Sequence, residues 1–233
     1  LSFSPEKHMK VPKATNVHGV LHGLESLAWD AAEADNPNAL FFALYAQVTR
    51  QVKRGIDERK FRNSELMEAV DVYFGNIIFD QVRASQAQTS QSPSGVDQVA
   101  KPESWTFFFN AQRRSDLTAA QHMLLGVGPH ILHDLAIAMY KVVPEEDLES
   151  FHEDYLQIND FLFQVLEQIQ DILAMKSFGM RVVDWLLCKA DEWVAMSSLA
   201  LMRDCAFEGT RRLFAKSKEA DASIALAQVE KDL

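Results

Sequence analysis

Glycine, proline and cysteine are scarce in this chain of 233 residues, which contains nine, seven and two of them. Long windows are therefore free of residues that interrupt helices, a pattern typical of a mostly helical protein. Cys188 and Cys205 stand alone in apolar surroundings. Two such cysteines make no disulfide framework and favour a reducing compartment.

Several signals of function are also missing. The formal net charge is −10, and nucleic-acid binding is disfavoured because it needs a basic stripe. The N-terminal segment has no apolar signal core, and we expect that no window reaches the length of a membrane span. We therefore expect a cytoplasmic protein with no membrane or nucleic-acid partner. Glycine-rich phosphate loops, nucleophile elbows and Cys-x-x-Cys pairs are absent, so nucleophilic serine or cysteine catalysis has no support.

Apolar residues recur at helical spacing along the chain, and no alternation of period two is long enough for a strand. The sequence predicts an all-α, single-domain helical bundle of about seven to nine helices. Residues 1–17 are predicted to be a flexible lead-in, residues 18–215 the bundle domain and residues 216–233 a C-terminal tail helix. Residues 85–103 are rich in serine and glutamine with almost nothing to bury, which predicts a mobile loop within the domain.

Local signals place individual helices within this bundle. A helix is predicted to start near Pro37, after a cap at Asn36. Ser115 or Asp116 is expected to cap a later one. Another begins at Pro144, with acidic residues in its first turn. The predicted buried stripe of that helix is Leu148, Phe151, Tyr155, Ile158, Leu162 and Val165.

The most unusual stretch covers residues 116–140, where His122, Gly126, His130 and Asp134 follow one another at i+4 spacing. His130 and Asp134 would lie about 6 Å apart along a helix, close enough to bind one metal ion. His122 lies about 12 Å further along and can join them only if the chain bends before His130. Pro129 has no N–H and predicts a kink there. A metal-free alternative also explains the same spacing: His130 and Asp134 form hydrogen bonds with each other or with neighbouring helices in the core.

Other helices carry polar residues on apolar faces. Asp154 shares a face with Phe151, and Glu192 shares one with Arg203, where an ion pair between the last two is an alternative to a binding site. The candidate metal ligands are His122, His130, Asp134, Asp154 and Glu192. The candidates for a supporting or substrate-binding role are Asn159, Arg203 and Tyr45.

Four motifs carry a resemblance over residues 38–214. They are FFALYAQVT (41–49), QHMLLGVGPHILHDLAIAM (121–139), EDYLQIND (153–160) and ALMRDCAF (200–207). In these the chain resembles a largely uncharacterised family of all-helical microbial proteins with a QH-LLG---HI--DL core. That family usually has Asn-Ala where this chain has Gly128-Pro129, and asparagine where it has Leu132. The resemblance implies that the five candidate ligands form a shared constellation.

The His-x-x-x-Asp element is also similar to the metal-binding helices of zinc-dependent phospholipase C and related enzymes. Histidine and carboxylates from several helices favour a metal site over a catalytic triad. We therefore expect a metal-dependent enzyme, with iron favoured over zinc: a non-haem iron oxygenase or oxidase, with one iron or a di-iron pair, acting on a small organic molecule. The alternatives are a zinc-dependent hydrolase and a metal-free helical binding or interaction protein.

Overall fold

A computed structural model of the chain describes residues 11–89, 103–175 and 189–232. Within these ranges the chain is helical and contains no strand, which confirms the predicted all-α fold. The α-helices are α1 (Val17–Glu33), α2 (Ala39–Asp57), α3 (Ser64–Thr89), α4 (Glu103–Ala111), α5 (Ala119–Pro129), α6 (Leu135–Val142), α7 (Leu148–Met175) and α8 (Lys189–Asp232). A π-helical turn, His130–Asp134, joins α5 to α6 without a break. If α5, the π turn and α6 are counted as one continuous helix, the described residues form seven helices.

Helix α2 is at the centre of the bundle and packs against α1, α3, α5 and α7. Its aromatic residues Phe41, Phe42 and Tyr45 are buried in the common core. Helix α2 starts at Ala39, so Asn38 and not the predicted Asn36 is at the cap position, and Asn38 makes no capping side-chain bond. The Asn36 side chain accepts a hydrogen bond from the Asn38 N–H at 3.0 Å, in the turn before the helix. All six residues of the predicted α7 stripe are buried.

The lead-in differs from expectation where the structure describes it. Val11 and Ala14 are buried, and Ala14 exchanges two hydrogen bonds with the side chain of Asn76 on α3, at 2.8 and 2.9 Å. Arg83, also on α3, donates to the Val11 carbonyl at 2.6 Å. Residues 11–16 are thus fixed to α3 by side chains that no local sequence signal links to them. Residues 1–10 lie outside the described ranges.

Two other predicted boundaries shift. Helix α3 continues to Thr89, into the first part of the predicted Ser/Gln-rich loop, and residues 90–102 lie outside the described ranges. At the other end, α8 passes through Lys216 without a break, so residues 216–232 extend this helix instead of forming a separate one. Lys218 of this extension pairs with Glu145 at 2.7 Å. Residues 176–188, between α7 and α8, also lie outside the described ranges.

A π turn follows directly after Pro129, the residue at which the sequence predicted a kink. Helix α5 starts at a capping box formed by Thr118 and Gln121, and neither Ser115 nor Asp116 is its cap. Pro129 cannot donate a backbone hydrogen bond, which weakens the α-helical ladder at that position. The chain then closes an i to i−5 bond from the Leu135 N–H to the His130 carbonyl. Single π turns of this kind are frequent at functional sites.

One described helical run, Gln121–Val142, is long and apolar enough to cross a membrane by length and composition, which corrects the expectation that no window would be. Its most apolar window has a mean hydropathy of 1.2, and 44% of it is buried inside the protein. Core helices of soluble proteins meet the same criterion, so this is weak evidence for a membrane span.

Candidate functional site

The imidazole of His130 is surrounded by aromatic rings from three helices. It stacks on Phe74 of α3, with ring centres 3.7 Å apart and planes inclined by 6°. Tyr45 and Phe41 of α2 approach at 4.4 and 5.8 Å between ring centres, and Trp105 of α4 at 6.1 Å. His130 is 3% exposed, so this ring cage separates it from bulk water.

The carboxylate of Asp134 contacts the Nδ1 edge of the His130 imidazole. Its Oδ2 lies 3.5 Å from His130 Nδ1 and accepts a hydrogen bond from Trp105 Nε1 at 3.0 Å. Its Oδ1 lies 2.9 Å from Nδ1 of His133, whose side chain is half exposed. The predicted His130–Asp134 contact is therefore present, and Asp134 joins it to a buried tryptophan and a surface histidine.

The charge states follow from burial and from these contacts. Burial lowers the pKa of His130, although the hydrogen bond and charge of Asp134 oppose it. His130 is therefore neutral at pH 7. Burial acts to raise the pKa of Asp134, but the hydrogen bonds from His130 and His133 outweigh it, so that pKa is lowered and the group is ionised. An ionised carboxylate accepts the proton on Nδ1, which leaves His130 Nε2 with a free lone pair.

His130 is one of the residues that line a cavity of about 90 Å³ between α2, α3, α7 and the π turn. Most of the wall is apolar. The apolar residues that line it include Phe41, Leu44, Val48, Val52, Met67, Val70, Phe74, Val127, Ile131, Leu135, Phe151, Ile158, Leu162 and Leu199.

Three buried polar atoms on residues of this wall have no hydrogen-bond partner within the described part of the chain. They are His130 Nε2, the hydroxyl of Tyr45 and Oδ2 of Asp71. Burial, followed by the charges of Asp71 and Asp134, raises the pKa of Tyr45 well above its ordinary value, so its hydroxyl keeps its proton. Burial, followed by the charge of Glu68, raises the pKa of Asp71 from 3.8 to about 7. An unpaired buried polar atom costs about 1–3 kcal/mol, so three together indicate a place for a polar group of a ligand.

Arg203 of α8 lines the same cavity and is 4% exposed. Its Nε donates to Asn159 Oδ1 at 2.7 Å, and its Nη2 donates to the Tyr155 carbonyl at 2.6 Å. The guanidinium carbon lies 4.0 Å from the centre of the Tyr155 ring. The structure thus brings two predicted supporting residues, Asn159 and Arg203, into direct contact, and places the third, Tyr45, beside His130.

Two other candidate ligands, His122 and Asp154, contact groups other than His130. Nε2 of buried His122 lies 3.3 Å from the Arg114 carbonyl. Asp154 accepts hydrogen bonds from the backbone N–H groups of Arg62 and Asn63 at 2.8 and 2.9 Å, just before α3 begins. The side chain of Glu192 falls outside the described part of α8. Among the described residues, no three His, Cys, Asp or Glu side chains are grouped so that they could hold a metal ion.

A comparison with protein-family models matches residues 17–233 to one family. The chain belongs to DUF5995, a family of unknown function. This agrees with the resemblance to an uncharacterised helical family. Neither a search of curated proteins nor a search of solved structures found a match for this DUF5995 chain. The function must therefore be argued from the site itself.

Three residues of this site were not among the candidate site residues predicted from the sequence. Trp105 belongs to the apolar run WTFFF, and its need for a hydrogen-bond acceptor once buried is the signal that points to Asp134. Asp71 lies three residues before Phe74, on the same side of α3, and has the spacing of an inward-facing acid. Phe74 gives no signal of its own, because its stacking on His130 depends on how α3 packs against the π turn.

Proposed function

We propose that this chain binds a small, mainly apolar organic molecule in the cavity beside His130. The observation that carries the proposal is that three residues lining one apolar cavity, His130, Tyr45 and Asp71, each have a buried polar atom without a hydrogen-bond partner in the described part of the chain. Ligand pockets have this composition: apolar walls and a few polar groups that fix the orientation of the ligand.

The polar atoms define which ligand group fits. Nε2 accepts a hydrogen bond, because the proton of the imidazole is held on Nδ1 by Asp134. The Tyr45 hydroxyl retains its proton and donates one. A hydroxyl group is able to donate to Nε2 and accept from Tyr45 at once. We therefore propose an alcohol or phenol, or another ligand that presents such a hydroxyl, as the group recognised here.

The same geometry allows acid–base chemistry. A neutral histidine whose Nδ1–H is held by a carboxylate is suited to remove a proton through Nε2, because the carboxylate stabilises the imidazolium that forms. In this proposal, His130 Nε2 takes the proton from the ligand hydroxyl that donates a hydrogen bond to it. Binding is the part of the proposal to be tested first.

A larger side chain that fills the cavity tests whether a ligand binds there. Val48 lines the cavity, whereas Val142 packs on the core elsewhere. We expect ligand-detected NMR with phenol, para-cresol, benzyl alcohol, hexanol and octanol to show binding to the wild type. Val48→Phe should abolish it, and the matched variant Val142→Phe should retain it. Binding that survives in Val48→Phe, or absence of binding by all five compounds, would contradict the proposal.

A metal-dependent enzyme is the second candidate, favoured by one observation. A histidine that donates one ring N–H to a carboxylate and leaves the other nitrogen free has the arrangement found in metal-binding histidines. His130 and Asp134 have it, and within the described residues they are not joined by two further ligands. As expected from the sequence, iron in an oxidoreductase acting on a small organic molecule is the preferred form, and zinc in a hydrolase is the alternative. Iron would supply redox chemistry, whereas zinc would supply Lewis-acid chemistry. The likeness to zinc-dependent phospholipase C helices belongs to this candidate.

Metal analysis of the purified protein separates the two candidates. Stoichiometric iron or zinc that is lost in His130→Ala, but kept in a control variant of the exposed His22, would support the metal-dependent enzyme. A protein without bound metal, whose thermal stability does not change with a chelator or with added Fe²⁺ or Zn²⁺, would exclude it and leave the first candidate.

A further inference from the structure

Arg203 carries a buried charge that no acidic side chain in the described part of the chain neutralises. Its guanidinium meets an amide oxygen of Asn159, a backbone carbonyl and the face of Tyr155, all of which are neutral. Arginine is seldom this deeply buried without an anionic partner. Burial lowers the pKa of Arg203; the charge of the neighbouring, exposed Asp204 acts in the opposite direction without outweighing burial, and no ion pair joins the two side chains within the described residues.

The acid of the cavity does not serve as this partner. Asp71 is on α3, and the groups that set its pKa are its own burial and Glu68, with no contribution from Arg203. A carboxylate paired with arginine would have its pKa lowered, whereas the pKa of Asp71 is raised to about 7. The cavity therefore has a cationic part at Arg203 and a separate part, at Tyr45, His130 and Asp71, that bears no fixed positive charge.

Arg203 also has N–H donors that its hydrogen bonds to Asn159 and Tyr155 do not use. A guanidinium has five N–H donors, and Nε and Nη2 each use one in the hydrogen bonds to Asn159 and Tyr155. These two bonds and the Tyr155 ring fix the plane of the guanidinium at the cavity wall. A fixed, planar guanidinium with free donors is the protein group best matched to a carboxylate, which accepts two parallel hydrogen bonds.

We propose that the ligand of this cavity is a small apolar carboxylate, whose anionic group pairs with Arg203 while its apolar body lies along the cavity towards Tyr45 and His130. This inference rests on the proposed function, because it assumes that the cavity binds a ligand. An apolar carboxylate with a hydroxyl at its far end, such as para-hydroxybenzoate, satisfies both parts of the cavity. A plain apolar carboxylate satisfies the Arg203 part alone.

The test compares each carboxylate with its neutral amide, which has nearly the same shape. Benzoate, para-hydroxybenzoate, hexanoate and octanoate are titrated into the full chain beside benzamide, para-hydroxybenzamide, hexanamide and octanamide, with affinities measured by NMR. We expect the carboxylate to bind about 10-fold or more tightly than its amide. Arg203→Gln should reduce this preference to near one, and Arg203→Lys should keep part of it. Arg211→Gln, an exposed arginine of the same helix, should keep all of it.

Arg203→Gln also removes contacts between α7 and α8, so a wild-type measurement keeps the inference testable if that variant does not fold. In wild type, benzoate should shift the NMR signal of the Arg203 Nε–H, and benzamide should leave it nearly unchanged. Equal affinity for carboxylates and amides, or no response of Arg203 to benzoate, would overturn the anion assignment while leaving the cavity-binding proposal in place. If neither these compounds nor the neutral alcohols bind, both proposals fail together.

Discussion

The imidazole of His130 lies parallel to the ring of Phe74, with 3.7 Å between ring centres and 6° between ring planes. This stack fixes the rotation of the imidazole, so that Nδ1 meets Asp134 while Nε2 has no hydrogen-bond partner in the described part of the chain. Phe74 thus positions the polar atom on which the proposed site depends, although it has no polar group of its own.

Phe74→Leu keeps this position apolar and removes the stack. We expect the free energy of unfolding to fall by about 1 kcal/mol or more, because a stacked aromatic pair contributes about 0.5–1.5 kcal/mol beyond its buried area. Urea denaturation measures the change. The matched control is Phe163→Leu on α7, where the ring is 46% exposed and the change should be within about 0.5 kcal/mol. Equal losses in both variants would mean that the stack contributes nothing specific.

What could be predicted from the sequence is what depends on local spacing. The α7 stripe and the His130–Asp134 contact both follow from helical periodicity, and both are present. The i+4 spacing survives even though the chain passes through a π turn there. Likewise, the absence of glycine and proline over long windows was enough to indicate the all-α class.

What could not be predicted is which helices meet. Asp134 binds Trp105, 29 residues earlier, and this pairing depends on the packing of α4 against α5 and the π turn. Asp154 has the burial expected of a ligand, yet it binds the backbone ahead of α3, 91 and 92 residues away. A buried carboxylate needs donors, and periodicity does not tell whether a metal, a side chain or a backbone N–H supplies them.

Asp134→Asn tests whether the carboxylate sets the tautomer of His130. Trp105 Nε1 can only donate to the atom that replaces Oδ2, so the amide oxygen takes this place and still accepts from His130 Nδ1, while the amide nitrogen faces His133. A neutral amide holds the Nδ1 proton less strongly than a carboxylate does, so we expect the share of the tautomer protonated on Nε2 to rise. Long-range ¹⁵N–¹H NMR spectra of the ring report this directly. Because a hydrogen bond to a charged acceptor is lost, the free energy of unfolding should fall by about 1–3 kcal/mol. Asp160→Asn, at an exposed position of α7, serves as the control. A His130 spectrum identical to that of wild type would show that Asp134 does not determine the tautomer.

Asp71 predicts a specific pH dependence of stability. Its pKa is about 7 in the folded chain and near 3.8 when unfolded, so between these values the folded state binds more protons. Stability is therefore lost as the pH rises from about 4 to 7, and the loss is complete above 7. Since one pKa unit corresponds to about 1.4 kcal/mol, the loss is on the order of a few kcal/mol.

The variant Asp71→Asn removes this titration while nearly keeping the shape of the side chain. We expect it to be more stable than wild type at pH 8 and to show a flatter stability profile between pH 5 and 8. Urea denaturation at a series of pH values gives both profiles. Asp80→Asn, at a half-exposed position of the same helix, should follow the wild-type profile. If Asp71→Asn also follows it, Asp71 does not carry a raised pKa.

Two glycines of α5 that lie two residues apart provide the sharpest test of how the site is positioned. A Cβ at Gly126 would lie 2.7 Å from a carbon of Phe41 and 2.8 Å from a carbon of Phe108, and both rings are buried. Gly126→Ala should therefore cost about 1–3 kcal/mol through overpacking. It should also weaken ligand binding at His130, because α5 leads directly into the π turn.

At Gly128 a Cβ would meet nothing within 4 Å. Alanine there gains up to about 1 kcal/mol of helix propensity, which is partly offset because a residue with a Cβ is disfavoured in the α conformation before Pro129. We expect Gly128→Ala to lie within about 1 kcal/mol of wild type and to bind as wild type does. Denaturation and ligand titration of the two variants measure both effects. A Gly126→Ala protein as stable as Gly128→Ala would show that close packing of α5 on Phe41 is not what holds His130 in place.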